Sequence, residues 1–151
     1  MKKGLFIIMV AIIFVCFKAK GQTENDTLAI KQACMDYVEG YFNKDADRMA
    51  KAVHPELQKR IIFKDEKGNC FLQNMGSSML VQATRANKNA NLLNPEKPFQ
   101  AEIIIFGIFE NVASVKISNN KYPFIDFAHL GKFNGEWKII NVLWEMYPRP
   151  Q

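Results

Sequence analysis

Hydrophobic periodicity constrains this chain more than any other feature: segments with helical period come first, segments with strand period come last, and the two do not alternate. The C-terminal part reads "AEIIIFGIFE", "VASVKIS", "PFIDFAHLGKF" and "EWKIINVLW", all strand-like runs. Asn111, "SNNKY" and a tight "FNGEW" turn separate them. Asn134-Gly135 is the strongest hairpin signal, because both residues tolerate the positive φ of a type I′ turn. Upstream, Ile30, Cys34, Tyr37, Val38 and Tyr41 recur at three- and four-residue spacing between Asp26 and Phe42, which predicts a core-facing helix. Helices grouped ahead of an antiparallel meander predict an α+β fold, with helices packed on one face of a curved sheet.

Between these blocks, "NKDAD" offers Asp45 as the N-cap of a second helix, which presents Met49, Ala52 and Val53 on one face and runs until Pro55 stops it. The short loop before it implies a helical hairpin. "IIFKDEKGNCFL" predicts a small β-hairpin pairing Ile61–Phe63 with Cys70–Leu72 around Asp65 and Gly68. A third helix is expected over Ser77–Ala86, with Met75 and Leu80 as a hydrophobic staple. "NKNANLLNPEKP" is a polar connection with no signature of a domain linker.

Met1–Gly21, "MKKGLFIIMVAIIFVCFKAKG", has the lysines, apolar run and small residues of a secretory signal peptide cleaved before Gln22. Its apolar run is shorter than the roughly 20 residues that a membrane span requires. Val15 ahead of Cys16 does not suit a lipid-attachment site. Cleavage removes Lys2, Lys3, Lys18 and Lys20 and no acid, so the formal charge falls from +5 to +1. The basicity therefore belongs to targeting and makes no case for nucleic acid. The expected product is a secreted or periplasmic domain over residues 22–151, with no membrane partner after cleavage. Cys34 lies on the apolar face of the first helix, as a small core residue would, and spacing leaves a bridge to Cys70 open.

The segments "DYVEGYFNKDADRMAKAVHPELQKR", "SSMLVQATR", "ASVKI" and "FIDFAHLGKFNGEWKIINVLWE" together resemble the family named putative lumazine-binding, within the nuclear transport factor two-like superfamily (SnoaL-like, ketosteroid isomerase-like). The likeness runs from about Leu28 to Glu145. It implies a conical α+β barrel, three N-terminal helices on a curved, mainly antiparallel sheet, and a pocket between the concave face and the helices. The family name implies a pteridine-like aromatic ligand. Relatives on this fold catalyse, bind or associate, so the fold alone does not name an activity.

Strand parity yields candidate pocket residues. Placing the lysines outside puts His129, Trp137 and Asn141 inward and Asp126 outward, unless a bulge shifts the register. An inward His129 could serve as acid, base or neutral donor, or could be a buried histidine satisfied by Asn141. His54, at the expected end of the second helix, is either favoured there by the helix dipole or, with Lys59 or Arg60, receives an anionic or carbonyl-bearing group at the pocket mouth. Tyr37 and Tyr41 are either core residues with polar tips or phenolic donors into the cavity.

There is no glycine-rich phosphate loop, Gly-x-Ser-x-Gly elbow, cysteine–histidine signature or local metal spacing, and no cofactor is implied. The leading expectation is an exported small-molecule-binding domain for a small aromatic or carbonyl-bearing ligand. Ligand contacts are Tyr37, Tyr41, His54, Arg60, His129, Trp137 and Asn141. The rival is an isomerase, cyclase or dehydratase with His129 or Asp126 as general base and a tyrosine such as Tyr37 as electrophile. A third reading is a dimeric structural module. A homodimer is expected through an outer sheet face carrying Ile104, Phe106, Ile108, Ile140, Val142 and Trp144.

Overall fold

The computed structural model describes residues 24–88 and 92–147. The expected signal segment, Met1–Gly21, and its cleavage site lie outside the described residues. Helix α1 spans residues 24–43 and buries Ile30, Cys34, Tyr37 and Val38 along one stripe, as the spacing predicts. A two-residue break, with Lys44 at φ 62° and Asp45 capping through Oδ1 to the Arg48 N–H at 2.9 Å, leads into α2, Ala46–Ala52. Arg48 then ties the hairpin together, donating from Nε to Asp36 at 2.7 Å and pairing with Glu39 at 2.6 Å.

The second helix ends earlier than Pro55. Val53 is already extended and opens β1, Val53–Lys64, where it pairs in parallel with Ile139. The residue before a proline disfavours helical geometry, and the sheet takes up the extended chain that results. β1 forms the predicted hairpin with β2, Cys70–Gly76, with Ile62 opposite Leu72 and Phe63 opposite Phe71. Helix α3, Ser77–Arg85, follows directly. β3 (Ala101–Phe109), β4 (Val112–Asn119), β5 (Phe124–Phe133) and β6 (Glu136–Met146) complete the chain. The β5–β6 turn carries Asn134 and Gly135 at φ 51° and 87°, the two positive values that a type I′ turn needs.

The six strands form one sheet in the order β2-β1-β6-β5-β4-β3, antiparallel throughout except at β1–β6. The buried stripes of the helices meet Leu57, Val115, Ile117, Leu130, Ile139 and Val142 from the sheet in a single core. Cys34 belongs to that core, and burial pushes its thiol up to about 12. Cys70 is exposed, and both thiols are free.

Two bulges set which residues face the helices. In β6, Ile140 is an extra residue between the pairs His129–Asn141 and Leu130–Ile139. In β3, Phe106 is extra between Ile105–Val115 and Gly107–Ser114. Each bulge reverses side-chain parity beyond it. β5 carries no bulge, and there the parity rule itself misleads, because Lys132 lies on the helix side and is neutralised by Asp26 of α1 at 2.6 Å. Placing every lysine outward fails at that position. Together the two effects turn Asp126, Val142 and Trp144 inward and His129, Asn141 and Leu143 outward.

Candidate functional site

Three polar side chains meet under the helices. Lys59 Nζ donates to Asp126 Oδ1 at 2.6 Å and to the Tyr37 hydroxyl at 2.5 Å, and the Tyr37 hydroxyl donates to Asp126 Oδ2 at 3.2 Å. Asp126 is fully buried, and Lys59 is 8% exposed. The three reach the same point by different periods. Tyr37 is on the inner stripe of α1, Lys59 shares the inner parity of β1 with Leu57 and Ile61, and Asp126 shares that of β5 with Ala128 and Leu130. Burial, then the charge of Asp126 and the hydrogen bond to it, hold the Tyr37 phenol well above the ordinary tyrosine range, so it remains a neutral donor.

Above this base lies a cavity of about 350 Å³, lined among others by Tyr41, Met75, Leu80, Tyr122, Phe124 and Trp144. Its wall is a run of ring contacts. Tyr41 meets Tyr122 edge-on at 5.4 Å, Tyr122 stacks on Phe124 at 5.5 Å, and Phe124 meets Trp144 edge-on at 5.9 Å. The Lys59 ammonium sits 4.9 Å from the Trp144 ring, 5.2 Å from Tyr37 and 5.6 Å from Phe124, within cation–π range of all three. Polar contacts hold the wall in place. Asn87 donates to the Tyr122 hydroxyl at 2.9 Å and to the Tyr41 carbonyl at 2.7 Å. The buried Lys121 donates to the backbone carbonyls of Asn94, Pro95 and Lys97, anchoring the loop beside Tyr122.

The structure divides the residues expected from sequence. Tyr37 and Tyr41 line the cavity, and Asp126, expected outward, lies inward beneath it because it shares the parity of Lys132, which faces α1. His129 does not point inward: β5 alternates regularly with Asp126, Ala128, Leu130 and Lys132 on the helix side, which leaves His129 exposed on the outer face, 3.0 Å from Asn141 Nδ2, while Asn141, turned outward by the β6 bulge, accepts from Arg60 at 2.9 Å. Arg60, Asn141 and His129 thus form a polar chain on the side away from the cavity. His54 lies in β1, not at a helix end, with its ring stacked on Phe133 at 4.3 Å and its Nδ1 accepting from the Glu56 N–H. Trp137 is inward, as parity predicts, but its indole donates to Asp26 at 3.0 Å and does not line the cavity. The reading by sequence missed Tyr122, Phe124 and Trp144, and it placed Lys59 at the mouth. The inner parity of Leu57, Lys59 and Ile61 was the available signal for Lys59, whereas Trp144 faces the cavity only through the bulge in β6, and Phe124 only because β5 turns the side of Asp126 inward.

Helices on one face of a six-stranded, mainly antiparallel sheet, with a cavity between them, define a nuclear transport factor two-like domain. Solved structures of that class share the fold. One is a nuclear transport factor two-like protein of unknown function from Shewanella baltica, at TM-score 0.65 and 21% identity, covering 82% of this chain and 95% of that one. A second, from Novosphingobium aromaticivorans and described as having a cystatin-like fold, gives TM-score 0.62 at 7% identity, over 89% and 90% of the two chains. A third, described as a putative scytalone dehydratase from Novosphingobium aromaticivorans, gives TM-score 0.57 at 13% identity, over 85% and 89%. No curated protein matches the sequence. The chain belongs to the family described as putative lumazine-binding, whose model matches residues 25–145.

Proposed function

We propose that this chain is an exported small-molecule-binding domain that holds an aromatic ligand in the cavity between its helices and sheet. The observation that carries this reading is the cavity itself, a mainly aromatic and apolar chamber of about 350 Å³ with a polar base at Lys59 and Tyr37 and with Asn87 and Lys88 also on its lining. That size lies at the lower end of the roughly 300–1,000 Å³ typical of small-ligand sites. The family description supports a small ligand, and the N-terminal segment Met1–Gly21 supports export. Binding accounts for the geometry better than acid–base chemistry does. Both carboxylate oxygens of Asp126 are engaged, by Lys59 and Tyr37, and Asp126 is not among the cavity-lining residues. His129, the other candidate base, faces away from the cavity.

The test is tryptophan fluorescence across pteridines, steroids and flavin-like compounds. The chain has two tryptophans, and Trp144 lines the cavity while Trp137 does not. A ligand response should persist in Trp137→Phe and vanish in Trp144→Phe. Silence across the panel would overturn the reading.

The same proposal includes a homodimer through the outer sheet face, with a changed set of residues. Val142 and Trp144 point into the core and the cavity, and Ile108 packs against the core. Exposed apolar residues of that face include Ile62, Leu72, Ile104, Phe106, Phe127 and Leu143. Phe106 and Phe127 stack at 6.2 Å across two strands that are not neighbours.

A further inference from the structure

The polar base is internally neutralised, and this decides what kind of group it receives. Lys59 carries the positive charge and Asp126 the negative one, 2.6 Å apart, while Tyr37 remains a neutral phenol. An ammonium has three N–H donors. Two of those on Lys59 go to Asp126 and Tyr37, which leaves one for the cavity that Lys59 lines. A ligand carboxylate reaching that donor would come close to Asp126, and a like charge within about 4–6 Å is disfavoured. It would also leave water for a wall of Tyr41, Tyr122, Phe124 and Trp144, where Asn87 already donates to Tyr122 and Tyr41 and the second lining cation, Lys88, is exposed to solvent. A carbonyl oxygen accepts the same hydrogen bond without adding charge.

Resting on the binding reading above, we infer that the cavity selects planar aromatic compounds bearing a neutral carbonyl acceptor and discriminates against the corresponding carboxylates. Lys59 supplies the donor, and Asp126 is a positioning residue that sets the charge preference.

Calorimetric titration with naphthalene, acetylnaphthalene and naphthoate at neutral pH tests this on the protein without its N-terminal segment. A hydrogen bond from a charged donor predicts that the ketone binds about tenfold tighter than either of the others. Asp126→Asn, which keeps a partner for Tyr37 but leaves the Lys59 charge uncompensated, should shift the preference toward naphthoate by about tenfold. In the double variant Lys59→Met with Asp126→Leu, which removes both charges together, naphthalene should still bind and the ketone should lose its advantage. Naphthoate binding the wild-type protein as tightly as the ketone overturns the inference and leaves the cavity reading standing. So does a ketone advantage that survives in the double variant. If none of the three compounds binds, this inference is overturned, and the cavity reading stands or falls on the Trp144 response to pteridines, steroids and flavin-like compounds.

Discussion

Lys59 and Arg60 are adjacent cations with opposite fates. Lys59 goes under the helices to Asp126 and Tyr37, and Arg60 goes to Asn141 on the outer face. The period of two along a strand makes that separation unavoidable once β1 is a strand. Because Asp126 is wholly enclosed, removing its partner leaves a buried charge uncompensated, which typically costs about 3–5 kcal/mol. Lys59→Met should therefore lower unfolding stability in urea by about 3 kcal/mol, whereas Lys59→Met combined with Asp126→Leu should cost less than the single change. A double variant no more stable than Lys59→Met would show that the pair is not the source of the loss. Tyr37 gives a pH-dependent test. Its pKa is raised in the fold, so the stability from its protonated form is complete below the ordinary value of 10.0 and is lost as pH rises through the higher folded value. In alkaline titration followed by tyrosinate absorbance, the signal missing from Tyr37→Phe should be the part of the wild-type curve that appears last. Early ionisation of Tyr37 would count against its burial beside Asp126.

Among the elements, α1 is held to the sheet at its N-terminal end and pressed against α2 further along. Asp26 accepts from Lys132 at 2.6 Å and from the Trp137 indole at 3.0 Å, and those hydrogen bonds lower its pKa from 3.8. For a depressed carboxylate the stabilisation is present above the unfolded value and is lost as pH falls through the folded one. Asp26→Asn should therefore melt lower than wild type at neutral pH, with the gap closing below about pH 4. A gap that stays constant into acid would assign the effect to packing instead. At Gly40 the α1–α2 contact leaves little room, since an added Cβ would lie 3.2 Å from the Met49 nitrogen and 3.3 Å from the Asp45 oxygen. Both atoms are backbone, so relief requires the helices to part. Gly40→Ala should cost about 1 kcal/mol by urea unfolding, at the low end for overpacking, despite its better helix propensity. The helices and the β1–β2 hairpin were legible from period and turn chemistry, and α2 was misjudged at its end because pairing with β6 claimed Val53.

For the whole molecule, the proposed dimer follows from the apolar outer face. Phe127 is 48% exposed and Leu72 62% exposed, on a sheet side that no described helix covers. Contiguous exposed apolar patches beyond roughly 300–600 Å² are unusual on monomers, and a two-fold pair is the commonest way to cover one. Sedimentation of residues 22–151 should give a dimer, and Phe127→Glu should give a folded monomer. A wild-type monomer at tens of micromolar would remove this interface. Sequence alone determined the class of fold, because helical and strand periods and the Asn134-Gly135 turn are local properties that each segment carries by itself. It also determined that Tyr37 and Tyr41 share an inner stripe. Which side of β5 and β6 faces the cavity was decided only by the tertiary structure. Ile140 gains its extra place from the pairing of two strands, and Lys132 is drawn inward by Asp26, far away in the chain. Neither event leaves a mark in local composition, yet together they exchange His129 and Asn141 for Asp126 and Trp144, and with them the chemistry of the site.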